Sequence, residues 1–256
     1  MGKTSNIIFL RKINNVKVVY VILFFFYIFS CFSSDDLDLA RDLFVKGNYK
    51  EAIEQASKYK SIEALVLQSR ILSIYTHFFL KDRDAEEKFL KSYEIAKSAI
   101  QIDPDNDEAY VEAAHSLGRY GQKIGIMSAI SKGIASRVKK YLDKALEINP
   151  NNILANLSKG IWHAEIINQA GKVIASTVYG ANIDKALIHF EKVKKHKNSN
   201  EIGVLYELAY GYYLLSNNVY TEEAKSLIES LLKKIPFSDM DKIYIKKARN
   251  LLKILT

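Results

Sequence analysis

From Asp35 onward, apolar residues recur every three or four positions, and few stretches alternate apolar and polar residues at period two. That periodicity puts the apolar positions on one face of a helix. It predicts an all-α chain of antiparallel helix pairs at about 36–46/48–59, 62–80/84–102, 107–121/134–148, 152–170/182–196 and 201–216/221–234. A terminal helix is predicted at about 239–254, opened by the capping sequence Ser238-Asp239-Met240-Asp241. Ile245, Ala248, Leu252 and Leu255 form its expected buried stripe, and Lys242, Lys246, Lys247, Arg249 and Lys253 its expected wet side. A helix that is polar on its outer face ends a stack of helices without leaving an aggregation-prone surface.

The chain repeats itself. Ala99-Ile100-Gln101-Ile102-Asp103-Pro104-Asp105-Asn106 and Ala145-Leu146-Glu147-Ile148-Asn149-Pro150-Asn151-Asn152 share one pattern, and Leu231 to Pro236 is a degenerate third copy. The alanines allow close helix packing. Each proline lacks an N–H and stops the helix, and the flanking Asp and Asn suit a turn and cap the next helix. Between the helices of a pair, Gly47-Asn48-Tyr49-Lys50-Glu51-Ala52 supplies a Gly-x-Tyr-x-x-Ala turn, with partial matches at Tyr220–Ala224 and Ile183–Phe190.

These residues resemble the tetratricopeptide (TPR) superfamily over most of 36–236. The resemblance implies an α-solenoid of about five helix pairs with a C-terminal capping helix. The repeats are irregular. Ala99 to Ala145, and Ala145 to the equivalent Val193, exceed the roughly 34-residue TPR period. The segment Ala113–Pro236, with Gly118-Arg119-Tyr120 and Lys159-Gly160-Ile161-Trp162-His163, resembles the regulator of microtubule dynamics family. It also resembles the periplasmic T-component TPR lipoproteins of TRAP-type transporters. That second likeness implies a protein able to form homo-oligomers and to meet a solute-binding protein. The excess length lies in 122–133 and 170–180, both apolar, small and glycine-bounded. They are too greasy for open loops and are expected to extend helices or fold inward.

Residues 1–34 read separately. A basic, acid-free leader precedes the apolar run Val18–Phe32, followed by Ser33-Ser34-Asp35-Asp36. This is the order of a secretory signal, and the run is shorter than a bilayer needs. Export is therefore expected, to the periplasm or the outer side of a bacterial cytoplasmic membrane. Three fates fit the residues: lipidation at Cys31, cleavage after Ser33, or retention as a membrane tether. Residues 35–256 form the helical-repeat domain.

A hydrophobic content of 48% with 26% charged residues describes a folded chain. The formal charge is +8, but Lys3, Arg11, Lys12 and Lys17 account for half of that excess. What remains is an ordinary solubility charge, and no recognition motif points to nucleic acid. Cys31 is the single cysteine, so the repeat domain has no disulfide and no Cys-based zinc site.

The sequence also lacks a phosphate-cradling glycine loop, a zinc-protease histidine pair and a nucleophile elbow. No catalytic, cofactor or metal residue is assigned, and an enzyme is not expected. The aromatic residues are more informative. Tyr110, Tyr120, Trp162, Tyr206, Tyr210 and Tyr213 fall mainly on first helices, which line the concave face in the TPR family. Tyr and Trp join large contact area to a polar tip, and His115 and Arg119 add polar contacts. Packing between helices is the competing role for each. The leading expectation is an exported scaffold that binds a protein or peptide in its concave groove. The alternative is a small-molecule-binding accessory of an envelope transporter, with the two inserts forming a pocket or pore.

Overall fold

The computed structural model describes residues 34–215 and 218–256. Residues 1–33, which hold Cys31 and nearly all of the segment expected to direct export, lie outside them. Among the described residues the chain forms twelve α-helices and one π-helical turn, with no strand. The first pair is α1 (Ser34–Val45) and α2 (Tyr49–Ser57), and the second is α3 (Ile62–Phe79) and α4 (Asp82–Ile102). The third is α5 (Asp107–Ile124) and α7 (Ile134–Ile148), with the short α6 (Ile126–Ser131) between them. The fourth is α8 (Ile153–Ile174) and α9 (Ile183–Lys194), with the π-helical turn Ala175–Tyr179 between them. The fifth is α10 (Ile202–Leu214) and α11 (Asn218–Leu232), and α12 (Asp239–Leu255) ends the chain. Among the described residues, no helix is long and apolar enough to cross a membrane.

The repeated sequence gives a repeated turn. Asp103 and Asn149 are both extended, as a residue before proline must be. The Asp103 carboxylate accepts from Asp105 N at 3.0 Å, and the Asn149 side chain from Asn151 N at 3.1 Å. Asn106 then caps α5 by accepting from Ala109 N, and Asn152 caps α8 by accepting from Ala155 N. At the chain end, Ser238 and Asp241 close a reciprocal capping box on α12. Each device is local, so the pair boundaries follow directly from the residues.

The alanines are fully buried where pairs meet. Ala99 packs with Leu65, Val66 and Ala109, and Ala145 with Val111 and Ala155. Deeper in the stack, Phe190 of α9 is completely buried between two glycines. A Cβ on Gly160 of α8 or Gly211 of α10 would collide with its ring. The fourth and fifth pairs thus dock through an aromatic ring seated in a backbone slot.

Two outcomes differ from the sequence reading. The inserts, expected to extend helices or fold inward, instead form short helical segments that follow a break at a glycine. Of their described side chains, only Ala129, Ala175 and Tyr179 pack inward. Gly125 (φ 83°) and Gly171 (φ 76°) turn the chain outward, leaving Met127 and Val173 each 76% exposed and Val178 67% exposed. The second difference is α12. It packs on α10 and α11, and its first turn also meets the beginning of the chain. Met240 is buried with Leu37, Ala40, Tyr49 and Ala52 of the first pair, and Asp239 sits against Gly47. The stack therefore closes on itself. Lys247, expected on the wet side of α12, lies half-buried, with Nζ 4.6 Å from the centre of the Phe78 ring. Ala248 and Leu255 are buried as expected, Leu251 joins them, and Ile245 and Leu252 are half-buried.

Candidate functional site: the inner polar and aromatic face

Closure brings first helices together across non-adjacent pairs. Arg119 of α5 reaches Glu207 of α10 (3.7 Å), and His77 of α3 lies 3.5 Å from Lys247 of α12. The first helices therefore line the inside of the curve.

On α5, the positions Glu108, Glu112, His115, Arg119 and Gln122 follow one another at three- and four-residue steps and share one face. Near the start of α5, Arg70 of α3 donates to Glu112 (2.7 Å) and Glu108 (3.2 Å). Glu112 is 1% exposed. Its burial would raise the carboxyl pKa, but Arg70 and His115 outweigh burial and hold it below the ordinary value. His115 Nε2 lies 2.6 Å from Ser158 Oγ on α8.

One turn further on, Arg119 donates to Gln122 (3.1 Å), Gln122 donates to Glu165 of α8 (3.5 Å), and Tyr210 of α10 donates to the same carboxylate (3.3 Å). Burial raises the pKa of Glu165. The Tyr206 and Tyr210 rings stack at 6.5 Å, Tyr213 continues the row, and Tyr206 meets Tyr244 of α12 at 5.4 Å. Lys247 Nζ lies over both Tyr206 and Phe78, and its pKa is lowered mainly by burial. Burial, then Arg119 and Lys247, push His77 down to about 2, so its ring is neutral beside the lysine.

Four of the predicted groove residues, Arg119, Tyr206, Tyr210 and Tyr213, are thus assembled in one place, and His115 lies a turn away on the same face. The other three sit elsewhere. Trp162 is 6% exposed, and its Nε1 donates to Ala135 O of α7 at 3.0 Å, with Lys159 over its ring. Tyr110 packs on Tyr141 of α7 and beside Ala145 and Ala155. Tyr120 is half-buried against the main core. These three join helices and do not line the inner face. Sequence reading missed His77, Gln122, Glu165, Glu207, Tyr244 and Lys247. Gln122 could have been found from its i+3 step beyond Arg119. Glu165 and Tyr244 join the face by packing of adjacent elements, and His77, Glu207 and Lys247 through contacts across non-adjacent pairs.

Chemically, the face is a row of hydrogen-bonding groups beside a shelf of tyrosines, with cations and carboxylates alternating across it. Such a lining can pair with main-chain amides and seat apolar side chains. Among the described residues, no group of three or more His, Cys, Asp or Glu is placed to hold a metal. A second concavity, a cleft of about 720 Å³, opens where α12 meets the first pair, lined by Phe44, Ile74, Ile202, Phe237, Met240 and Tyr244 among others.

Stacked antiparallel pairs, proline-ended second helices and an inner face of first helices define a TPR-type helical-repeat protein. Residues 36–256 match the family described as regulator of microtubule dynamics protein 1-3, and the chain belongs to that family. Regulator of microtubule dynamics protein 1 of Bos taurus is 25% identical over 169 residues, which cover 62% of this chain and 53% of that protein. The chain thus spans about half the length of this curated relative. Among solved structures, a thermophilic TPR protein of Thermus thermophilus aligns with a TM-score of 0.61 and 16% identity, covering 86% of this chain and 98% of that one. At that identity the likeness shows the fold alone.

Proposed function

We propose that this chain is an exported, non-enzymatic scaffold that holds a protein or peptide partner on the inner face of its repeats. The observation that carries the reading is the Arg119–Gln122–Glu165–Tyr210 chain of contacts beside the stacked Tyr206 and Tyr210. Tyr206 is itself buried in the main core and Tyr210 packs against it, so the polar groups of Arg119, Gln122 and Glu165 are the part of this face open to a partner, held on a rigid base. The TPR-type fold supports the same reading, since its first helices present such a face. Affinity purification of the tagged full chain, with Arg119→Ala/Tyr210→Ala alongside, tests it. One partner that depends on both side chains is expected. An unchanged set of partners from a folded double variant would overturn the reading.

Export rests on the basic leader and apolar run of residues 1–34. Fusing residues 1–40 to a reporter active only outside the cytoplasm should give activity, and a silent, stable fusion would remove export from the proposal. A second reading, a small-molecule accessory, is favoured by the apolar cleft of about 720 Å³, a volume within the usual range of ligand pockets. The two inserts do not line that cleft.

A further inference from the structure

We propose that the two inserts form a membrane-docking edge for anionic lipid. The inserts leave the stack side by side. His115 pairs with Ser158 and Gln122 with Glu165, both 43 positions apart, so α5 and α8 run parallel and in register. Just beyond these contacts each helix runs into an insert. Met127 and Ile130 then stand exposed on one tip, and Val173, Ile174 and Val178 on the other. Exposed apolar side chains gathered at one edge, on segments that the stack does not require, mark an interaction surface.

Two observations identify lipid as the occupant. The first is charge. No Asp or Glu occurs from Ala113 to Leu142 or from Ile166 to Ile183, while Lys132 and Lys172 stand exposed on the tips and Arg137 and Lys140 on the flank of α7. The nearest acids are Glu165, half-buried and bonded to Gln122 and Tyr210 at the base of the inserts, Asp143, paired with Lys139 and Lys159, and the exposed Asp184 at the start of α9. Apolar tips that each carry an exposed lysine, with Arg137 and Lys140 on the flank, match the boundary between acyl chains and anionic headgroups.

The second observation is backbone satisfaction. In the first tip, Ala129 N donates to Gly125 O, Lys132 N to Ser128 O and Gly133 N to Ile130 O. In the second, Gly180 N donates to Ser176 O and Ala181 N to Ala175 O. The hydroxyls of Ser131 and Thr177 are bonded to main-chain carbonyls as well. A segment that enters a poorly hydrated layer is favoured by satisfying its own polar groups, and the groups named here are satisfied within each tip.

The test uses the full chain with Cys31→Ser, which removes its only cysteine, and one new cysteine at Val178, Met127 or Ser98. Ser98 is exposed near the end of α4, at the opposite edge of the stack. Each variant is labelled with an environment-sensitive fluorophore and reconstituted in vesicles of phosphatidylcholine, alone or mixed with phosphatidylglycerol. The 178 and 127 labels should shift to the blue and lose iodide quenching in the mixed vesicles only. The 98 label should stay quenched. Adding Lys132→Glu and Lys172→Glu should abolish the shift. Labels at 178 and 127 that remain as quenched as the one at 98 would overturn the proposal. So would a shift that follows protein concentration and ignores lipid composition, which would make the edge a contact between two copies of the chain.

Discussion

The slot that holds Phe190 yields a prediction whose sign is not obvious. Gly160→Ala places a methyl group in the middle of α8, where alanine favours the helix over glycine by about 1 kcal/mol. Against this, the new Cβ overlaps the Phe190 ring, which is fully buried and backed by Tyr212 at a ring separation of 5.0 Å. The ring cannot move toward α10, because Gly211 already touches it there. Overpacking of this kind costs about 1–3 kcal/mol, and the severity of the overlap puts this case at the upper end. The net expectation is about 2 kcal/mol of destabilisation, or a fall of about 4–8 °C in Tm for a domain of this size. Thermal and urea melts followed by circular dichroism would read it. Phe190→Leu destabilises the parent chain, and in the Gly160→Ala background it should recover about 1 kcal/mol or more of coupling in a double-mutant cycle. A Gly160→Ala protein more stable than its parent would refute the slot as the way the fourth and fifth pairs dock.

Trp162→Ala should cost about 3–5 kcal/mol of stability, as loss of a buried indole, whereas Tyr210→Ala should melt near the parent and weaken partner binding by about 2 kcal/mol. Melts beside binding curves on both variants separate the two roles. Asn152→Ala should cost about 1 kcal/mol by removing the α8 cap, measured by urea titration. His77, His163 and His189 are held down to about 2, 3 and 4, in each case mainly by burial. They stay neutral in the folded chain while the unfolded chain takes up protons below about pH 6.5. Stability is therefore full above that pH and declines as the pH falls toward about 4. Melting across that range should show the decline, and His163→Leu should flatten it.

The helix pairs could be read from the residues because their determinants are local. A proline, a capping Asn and a buried Ala act within a few positions, so the boundaries around Pro104 and Pro150 lie where those residues put them. Closure could not be read in this way. Whether α12 meets the first pair depends on small rotations accumulated over five pairs, and no single residue encodes that sum. Lys247 consequently read as a solvated lysine on the wet side of α12, whereas it lies over the Phe78 and Tyr206 rings. The groove residues divided along the same line. Tyr206, Tyr210 and Arg119 lie on faces that point inward. Trp162, on another first helix, faces α7, and its aromatic character alone could not distinguish the two. The apolar inserts read as helix extensions or inward folds, and they are helical, but as short segments broken from α5 and α8 at glycines. Their outward course was set by positive-φ glycines at 125 and 171, which the hydrophobic pattern does not register.

If the inner face holds the partner, a crosslinker placed there must reach it. A photo-crosslinking amino acid at Gln122 or Tyr213 on that face, or at the exposed Leu90 on α4, asks this in cells that produce the full chain. One protein adduct, identified by mass spectrometry, is expected from positions 122 and 213 and none from position 90. The same adduct from position 90, with nothing from the two inner positions, would contradict binding on the inner face.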